Sequence, residues 1–355
     1  MTISFARGIP APECLPVEEL ADCARAALER DGHTILSYGP SPGYGPLREW
    51  IGERHGVDAG RVFVTNGSLQ GFVFLAQRLA PGKRVLVERP TYDRPLKILR
   101  ELGADVVGLD QDDDGLDPDA LERALADGEK PAFLYLIPTF QNPSGRTLSE
   151  ERRRRVVELA REHDLLVLED DPYGLVRFDG EPLPSLFELS GGEVAYSSSF
   201  SKTIAPGLRV GWFVFPDALA KQIEAAATST YITPVLLGQA TVHEFVARGR
   251  FEPNLERVRG LLRARRDAML AALDLELPQM RITRPDGGYF LWAELPGVDA
   301  GELLARAEEA GVTFVKGADF DGGPDTLRLA YSFVSVEEIA EGVARLAAAI
   351  PVPAG

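Results

Sequence analysis

Between about residue 60 and residue 215, short apolar or β-branched runs alternate with stretches whose apolar residues recur at helical spacing. Strands are predicted at 61–65, 84–88, 104–109, 133–137, 165–169, 194–198 and 208–215, and helices at 69–79, 96–102, 150–163 and 218–227. Several strand runs are apolar without alternation, as in strands buried on both faces. The pattern therefore predicts a mainly parallel α/β sheet of seven strands covered by helices on both sides. From Pro253 onward a long charged helix is expected to run to Met269 and beyond. Smaller strands at 280–283, 289–294, 312–315 and 327–332 and helices at 300–310 and 336–349 follow it. These read as a smaller α+β domain, so the chain divides into residues 1–35 contributing to the smaller domain, 36–264 as the larger one and 265–355 as the C-terminal part of the smaller one.

Composition narrows the function classes. The 355 residues are 45% hydrophobic and 26% charged, the balance of an ordinary globular chain. A net charge of −16 spread along the sequence argues against partners such as nucleic acid or an anionic membrane. The N-terminus lacks a basic segment followed by an apolar one, and no window approaches eighteen unbroken apolar residues, so a cytoplasmic location is expected. Cys14 and Cys23 give no disulfide framework, and His33, His55, His163 and His243 show no ligand spacing. No metal chemistry is expected.

In open α/β sheets the loops after the carboxyl ends of parallel strands bind ligands, and here they carry the informative residues. The strand ending at Glu169 runs into Asp170-Asp171-Pro172-Tyr173, which on its own also fits a solvated turn. After 133–137 comes Pro138-Thr139-Phe140-Gln141-Asn142-Pro143-Ser144-Gly145, a sequence of ordinary turn formers that includes an amide able to donate hydrogen bonds. Asn66-Gly67-Ser68-Leu69 opens a helix whose free N–H groups suit a phosphate, although Ser68 is equally an N-cap. Tyr92 follows the strand at 84–88, either as a core ring or as one lying against a flat ligand. Ser199-Phe200-Ser201-Lys202 sets a lysine among hydroxyls, with Arg209 seven positions on. A lysine that condenses with an aldehyde next to a phosphate requires these residue types.

In order, Gly67-Ser68, Tyr92, Asn142-Pro143-x-Gly145, Asp170-x-x-Tyr173, Ser199-x-x-Lys202 and Arg209 resemble the signature of the fold-type I aminotransferases, which depend on pyridoxal 5'-phosphate. The resemblance spans the chain. It extends to Gly8 in a Phe-x-x-Gly-x-Pro-x-Pro element, Tyr38 ahead of Gly43-Tyr44-Gly45-Pro46-Leu47-Arg48, Gly287-Gly288 and Thr326-Leu327-Arg328-Leu329. Within the family it is most similar to the 2-aminoadipate and aromatic aminotransferase branch, through Glu169-Asp170-Asp171, Phe200-Ser201-Lys202 and Ala205-Pro206-Gly207-Leu208-Arg209.

The resemblance implies amino transfer between an L-amino acid and a 2-oxo acid by a ping-pong route through an internal aldimine on Lys202. It implies that Asp170 pairs with the ring nitrogen and Tyr173 with the ring oxygen, that Tyr92 stacks on the ring, and that Ser199, Ser201, Arg209 and the backbone at Ser68 and Leu69 hold the phosphate. Arg328 is implied to clamp the substrate α-carboxylate with Asn142 and the backbone near Gly8, and Tyr38 to reach the cofactor of the neighbouring subunit in a homodimer. Without the family, Arg328 reads as a surface strand arginine. Relatives in this branch carry an extra N-terminal helix over the substrate, so the lid is expected to be absent or replaced. Arg7, beside Gly8, is a candidate for a substrate side-chain carboxylate or a surface ion pair. Elimination, decarboxylation or oxidation with the same cofactor is the alternative chemistry. A ligand-sensing domain of a transcription regulator is the reading from outside enzymology, and the acidic charge and the lack of a helix-turn-helix pattern ahead of the family segment speak against it.

Overall fold

The structure is a computed structural model and describes residues 2–350. Its strands are β1 (Ile3–Ser4), β2 (Val62–Thr65), β3 (Arg84–Arg89), β4 (Asp105–Asp112), β5 (Gly115–Leu116), β6 (Phe133–Leu136), β7 (Val167–Asp170), β8 (Ala195–Ser199), β9 (Gly211–Val214), β10 (Arg281–Ile282), β11 (Phe290–Glu294), β12 (Val312–Thr313), β13 (Val315–Lys316) and β14 (Thr326–Ala330). Its α-helices are α1 (Val17–Ile35), α2 (Gly45–His55), α3 (Ser68–Leu79), α4 (Asp93–Glu101), α5 (Pro118–Ala126), α6 (Glu150–Glu162), α7 (Leu186–Leu189), α8 (Asp217–Tyr231), α9 (Leu236–Ala247), α10 (Phe251–Glu276), α11 (Ala300–Glu309) and α12 (Val336–Ala349).

The large sheet has the order β2-β9-β8-β7-β6-β3-β4-β5. Strands β8, β7, β6, β3 and β4 pair in parallel, whereas β9 runs antiparallel between β8 and β2. All seven expected strands are present. The eighth, β5, is a two-residue hairpin partner of β4, too short to leave a periodic signature. The runs Val62–Thr65, Phe133–Leu136 and Gly211–Val214 are buried along their whole length, which is why they lack alternation. The strand expected from residue 208 starts only at Gly211, because Pro206–Leu208 form a 3-10 turn and Arg209 takes a left-handed conformation at φ 53°.

A second, antiparallel sheet has the order β10-β11-β14-β13. The expected single strand at 312–315 is divided at Phe314: β12 pairs with β1, and β13 with β14. The N-terminal segment is stitched in here, since Phe5 donates its N–H to Thr313 O at 2.8 Å and accepts from Ala330 N at 2.7 Å. Gly342 in α12 lets this segment approach closely, for a Cβ there would stand 2.5 Å from the Phe5 ring. Helix α1 instead packs against α9, and α10 runs unbroken through residue 264, burying Phe251, Leu255, Val258, Leu262, Met269 and Leu273 along one stripe. No helix among the described residues is long and apolar enough to cross a membrane.

Candidate active site

Strand register builds the site. Ser199 pairs with Gly211 and Gly211 with Thr65, which aligns the carboxyl ends of β8 and β2 with the start of β9. Gly67-Ser68, Ser199 to Lys202 and Arg209 are thereby gathered at one sheet edge. The cap of α3 is Gly67, at φ 86° and without a side-chain cap bond, so Ser68 is the first helical residue and not an N-cap. The N–H groups of Ser68 and Leu69 are among those that an α-helix leaves without intrahelical partners. Glycine is required at both flanks: Gly67 holds a φ of 86°, which side chains rarely adopt, and a Cβ on Gly211 would lie 2.2 Å from Ser68 N. Arg209 is fixed beside them by bonds from Nη1 to Pro206 O at 3.2 Å and from Nη2 to Asn66 O at 3.3 Å. Ser199 Oγ donates to Ser201 Oγ at 2.8 Å. The Gly211→Ala variant is expected to lose about 2 kcal/mol of stability together with phosphate affinity, because the clash is with backbone that cannot swing aside. Thermal melting with and without cofactor checks this; unchanged melting in both states contradicts the fit.

Further along the sheet, Asp170 pairs with Ser197 in register, and Tyr135 stands opposite Leu168, which puts Tyr135 and Asp170 on one face. Tyr135 donates its hydroxyl to Asp170 Oδ2 at 2.8 Å, while Oδ1 is buried with no hydrogen-bond partner among the described residues. Burial, opposed by the hydroxyls of Tyr135 and the neighbouring Ser197, raises the Asp170 carboxyl to about 6. On a residue that lines the cavity, such an atom is free to accept from a ligand N–H.

The turn carrying Asn142 is held from beneath. Arg153, 1% exposed, donates to Leu148 O, Pro138 O and Thr139 Oγ1 at 2.8, 2.9 and 2.8 Å. Glu88 accepts from Ile137 N at 2.8 Å, and Gln141 donates to Pro90 O at 2.8 Å. Asn142 Oδ1 then accepts from Arg328 Nη1 at 2.9 Å, leaving its amide nitrogen as the donor. Arg328 is no surface arginine. It is buried at β14, gives Nη2 to Ala6 O at 2.9 Å, lies 4.3 Å from the Phe290 ring centroid and 4.8 Å from that of Phe320, and keeps a buried Nε without a partner. Burial lowers its guanidinium to about 10, so it stays charged at neutral pH.

Lys202 completes the site. Its Nζ donates to Gly8 O at 2.9 Å and lies 5.8 and 5.2 Å from the Tyr173 and Tyr289 ring centroids. Desolvation first, then the charges of Arg328 and Arg209, lower its amine to about 8. About one molecule in ten is then uncharged at pH 7, against fewer than one in a thousand at an ordinary lysine pKa. Burial similarly raises the Tyr92 hydroxyl to about 12 and Tyr173 higher still, so both are neutral donors.

One cavity of about 520 Å³ is lined by Gly8, Ser68, Leu69, Tyr92, Asn142, Asp170, Tyr173, Ser199, Ser201, Lys202, Arg209 and Arg328. Tyr38 and Arg7 do not line it. Tyr38 is 79% exposed, and the Arg7 guanidinium lies over the Phe333 ring at 5.0 Å. Sequence reasoning missed Tyr135, Tyr289, Phe290, Phe320 and Arg94. Tyr135 sits in an apolar strand run where a core ring is the ordinary reading, and the others are brought in by the second sheet and by α4, which spacing does not reveal.

The donor set fits pyridoxal phosphate. A cup of hydroxyls, N–H groups and a guanidinium whose Gly211 leaves no room for a Cβ suits the phosphate, the bare carboxylate oxygen suits a ring N–H, and a depressed lysine amine suits the aldehyde. Fold and cavity together define a fold-type I pyridoxal phosphate enzyme. Residues 13–346 match the family described as aminotransferase class I and II, and the chain belongs to it. It is 44% identical over 363 residues to a 2-aminoadipate transaminase of Thermus thermophilus, covering 98% of this chain and 90% of that one. It is 36% identical to aromatic-amino-acid aminotransferase 1 of Thermococcus litoralis, covering 98% and 88%. Among solved structures, the α-aminoadipate aminotransferase of Thermus thermophilus in complex with N-(5'-phosphopyridoxyl)-L-leucine superposes with a TM-score of 0.93 at 41% identity, covering 98% of this chain and 92% of that chain. Kynurenine aminotransferase of Pyrococcus horikoshii gives 0.94 at 36% identity, covering 98% and 90%. The protein is a pyridoxal phosphate-dependent transaminase in the branch that holds the 2-aminoadipate and aromatic aminotransferases.

Proposed function

We propose that this aminotransferase moves the amino group of amino acids with extended side chains, acidic, aromatic or branched, and that Lys202, Asp170, Tyr173 and Arg328 carry the reaction. The observation that carries the reading is the meeting, in one cavity, of a lysine amine lowered to about 8, an unpartnered carboxylate oxygen on Asp170 and a buried guanidinium at Arg328. Substrate class is supported by the names of the relatives, a 2-aminoadipate transaminase and an aromatic-amino-acid aminotransferase.

When bound, pyridoxal phosphate supplies an aldehyde to receive the amino group and a ring that withdraws electrons from the substrate α-carbon. On this reading Ser199, Ser201, Arg209 and the N–H groups of Ser68 and Leu69 would hold its phosphate, and Tyr92 would lie against its ring. Asp170 Oδ1 would accept the ring N–H and keep that nitrogen protonated. Tyr173 and the Asn142 amide would donate toward the ring oxygen. Arg328 grips the α-carboxylate through its two terminal nitrogens, exchanging the Asn142 and Ala6 oxygens for those of the substrate. Lys202 Nζ takes the α-proton as a base and returns a proton as an acid; the Gly8 carbonyl and the rings of Tyr173 and Tyr289 keep it in place. The N-terminal segment contributes two carbonyls, of Ala6 and Gly8, and so couples the smaller sheet to the reacting amine.

The reading includes a homodimer in which Tyr38 reaches the neighbouring cofactor. Supporting it, Tyr38 is off its own cavity, and its neighbour Gly39 donates its N–H to Thr233 Oγ1 at 3.3 Å, which brings the exposed Leu36 and Tyr38 toward the segment that carries the exposed Ile232 and Val235. Val235 N also bonds Asn66 Oδ1 at 2.9 Å, joining this patch to the loop beside Arg209. A cytoplasmic setting is supported by the two cysteines, both free and buried. In a half-reaction of the loaded enzyme with single amino acids, one equivalent each of pyridoxamine phosphate and 2-oxo acid is expected. Release of ammonia or carbon dioxide in their place contradicts the reading.

A further inference from the structure

Three cationic side chains in the cavity have assigned partners: Lys202, Arg209 and Arg328. A fourth does not. Arg94, in the first turn of α4, lines the cavity with its neighbours Asp93 and Pro95, as do Ile9, Val315 and Phe320. Its side chain is 60% exposed and makes no hydrogen bond among the described residues, and its ionic contact is from Nε to Asp93 Oδ2 at 3.5 Å. An arginine in the first turn of a helix sits at the positive end of the dipole, where a cation gains nothing. The surface pair with Asp93 is of the weak, exposed kind. Neither helix stability nor ion pairing accounts for Arg94, whereas its place on the cavity wall does.

Because the reaction is an exchange, donor and acceptor must occupy this same cavity in turn, with their α-carboxylates on Arg328. The same lining holds the apolar side chains of Ile9, Val315 and Phe320 and the partly exposed Asp93–Arg94 pair, and these are available to whatever extends beyond the α-carbon. We infer that Arg94 receives the side-chain carboxylate of dicarboxylic substrates, giving up Asp93 for it, and that with neutral side chains the Asp93–Arg94 pair stays closed while the apolar residues take the chain. One site then serves acidic and neutral substrates by opening or keeping a weak ion pair. Arg7, the arginine that the sequence offered for this role, is held over Phe333 outside the cavity lining.

This rests on the aminotransferase reading, and the test separates the two. Adipate and hexanoate have six carbons each and neither amino nor keto group, so their binding to the cofactor-loaded dimer or monomer needs no turnover. The ratio of their affinities, measured by calorimetry, is expected to shift about tenfold against adipate in Arg94→Ala. Arg94→Lys should keep most of the preference, and Asp93→Asn should increase it. A ratio within twofold of wild type in Arg94→Ala, including equal weakening of both ligands, overturns the inference. Failure of every amino acid to release a 2-oxo acid instead overturns the underlying reading, whatever that ratio.

Discussion

Lys202→Ala is expected to lower amino transfer by about 10⁴-fold or more, since one substitution removes the covalent anchor and the acid and base of the proposed mechanism. The fold should not change. The Lys202 side chain makes one hydrogen bond, to Gly8 O, and burying its charge is unfavourable to begin with. The residues proposed to hold the phosphate are unchanged in the variant, so cofactor should still bind, without a covalent bond. In wild type the amine must be uncharged to react. Its pKa is lowered to about 8, so the rate of cofactor uptake should climb as pH rises through 8 and level off above it. The variant should lack that rise. Stopped-flow uptake and steady-state assays check both parts, and wild-type-like turnover in Lys202→Ala would sink the assignment.

Asp170→Asn is expected to cost about 10²- to 10³-fold in kcat, the effect of losing one preorganised electrostatic group where charge develops. The amide is nearly the same size, and its oxygen can still accept from Tyr135, so packing is preserved. What is lost is the negative charge that keeps a bound ring nitrogen protonated. The carboxyl itself, raised to about 6 by burial, is ionised at pH 7, and a positively charged N–H against the bare Oδ1 would hold it so. Half-reaction rates with one donor at saturation measure the effect. A change of less than about threefold contradicts the role given to Asp170.

Much of this was legible in the sequence because apolar runs buried on two faces leave an unmistakable trace. The seven strands of the large sheet and the helices beside them are of this kind, and the chemistry lies in the loops that follow them. Asp170 ends β7, and Lys202 and Asn142 lie in the loops that follow β8 and β6, so their neighbourhood follows largely from topology. Arg328 was legible only through family resemblance. Its burial depends on Phe290, Phe320 and the carbonyl of Ala6, which come from three distant parts of the chain. Tyr135 was unreadable because its hydroxyl finds Asp170 across two neighbouring strands, while its position in the sequence is that of a core residue. Two-residue strands such as β5 and the divided pair β12 and β13 are shorter than any periodic window. The course of residues 3–9, which deliver two carbonyls to the site, comes from parallel pairing with β12, over 300 residues away in sequence, and no local pattern encodes that.

The central claim is that Lys202, among the six lysines of the chain, is the one that binds the cofactor covalently. Borohydride reduction of the cofactor-loaded protein, followed by digestion and mass spectrometry, reads this directly. The account predicts one phosphopyridoxyl group per chain, on the peptide containing Ser199 to Arg209. A label on Lys83, Lys97, Lys130, Lys221 or Lys316, or no label at all in protein that has taken up cofactor, would contradict it.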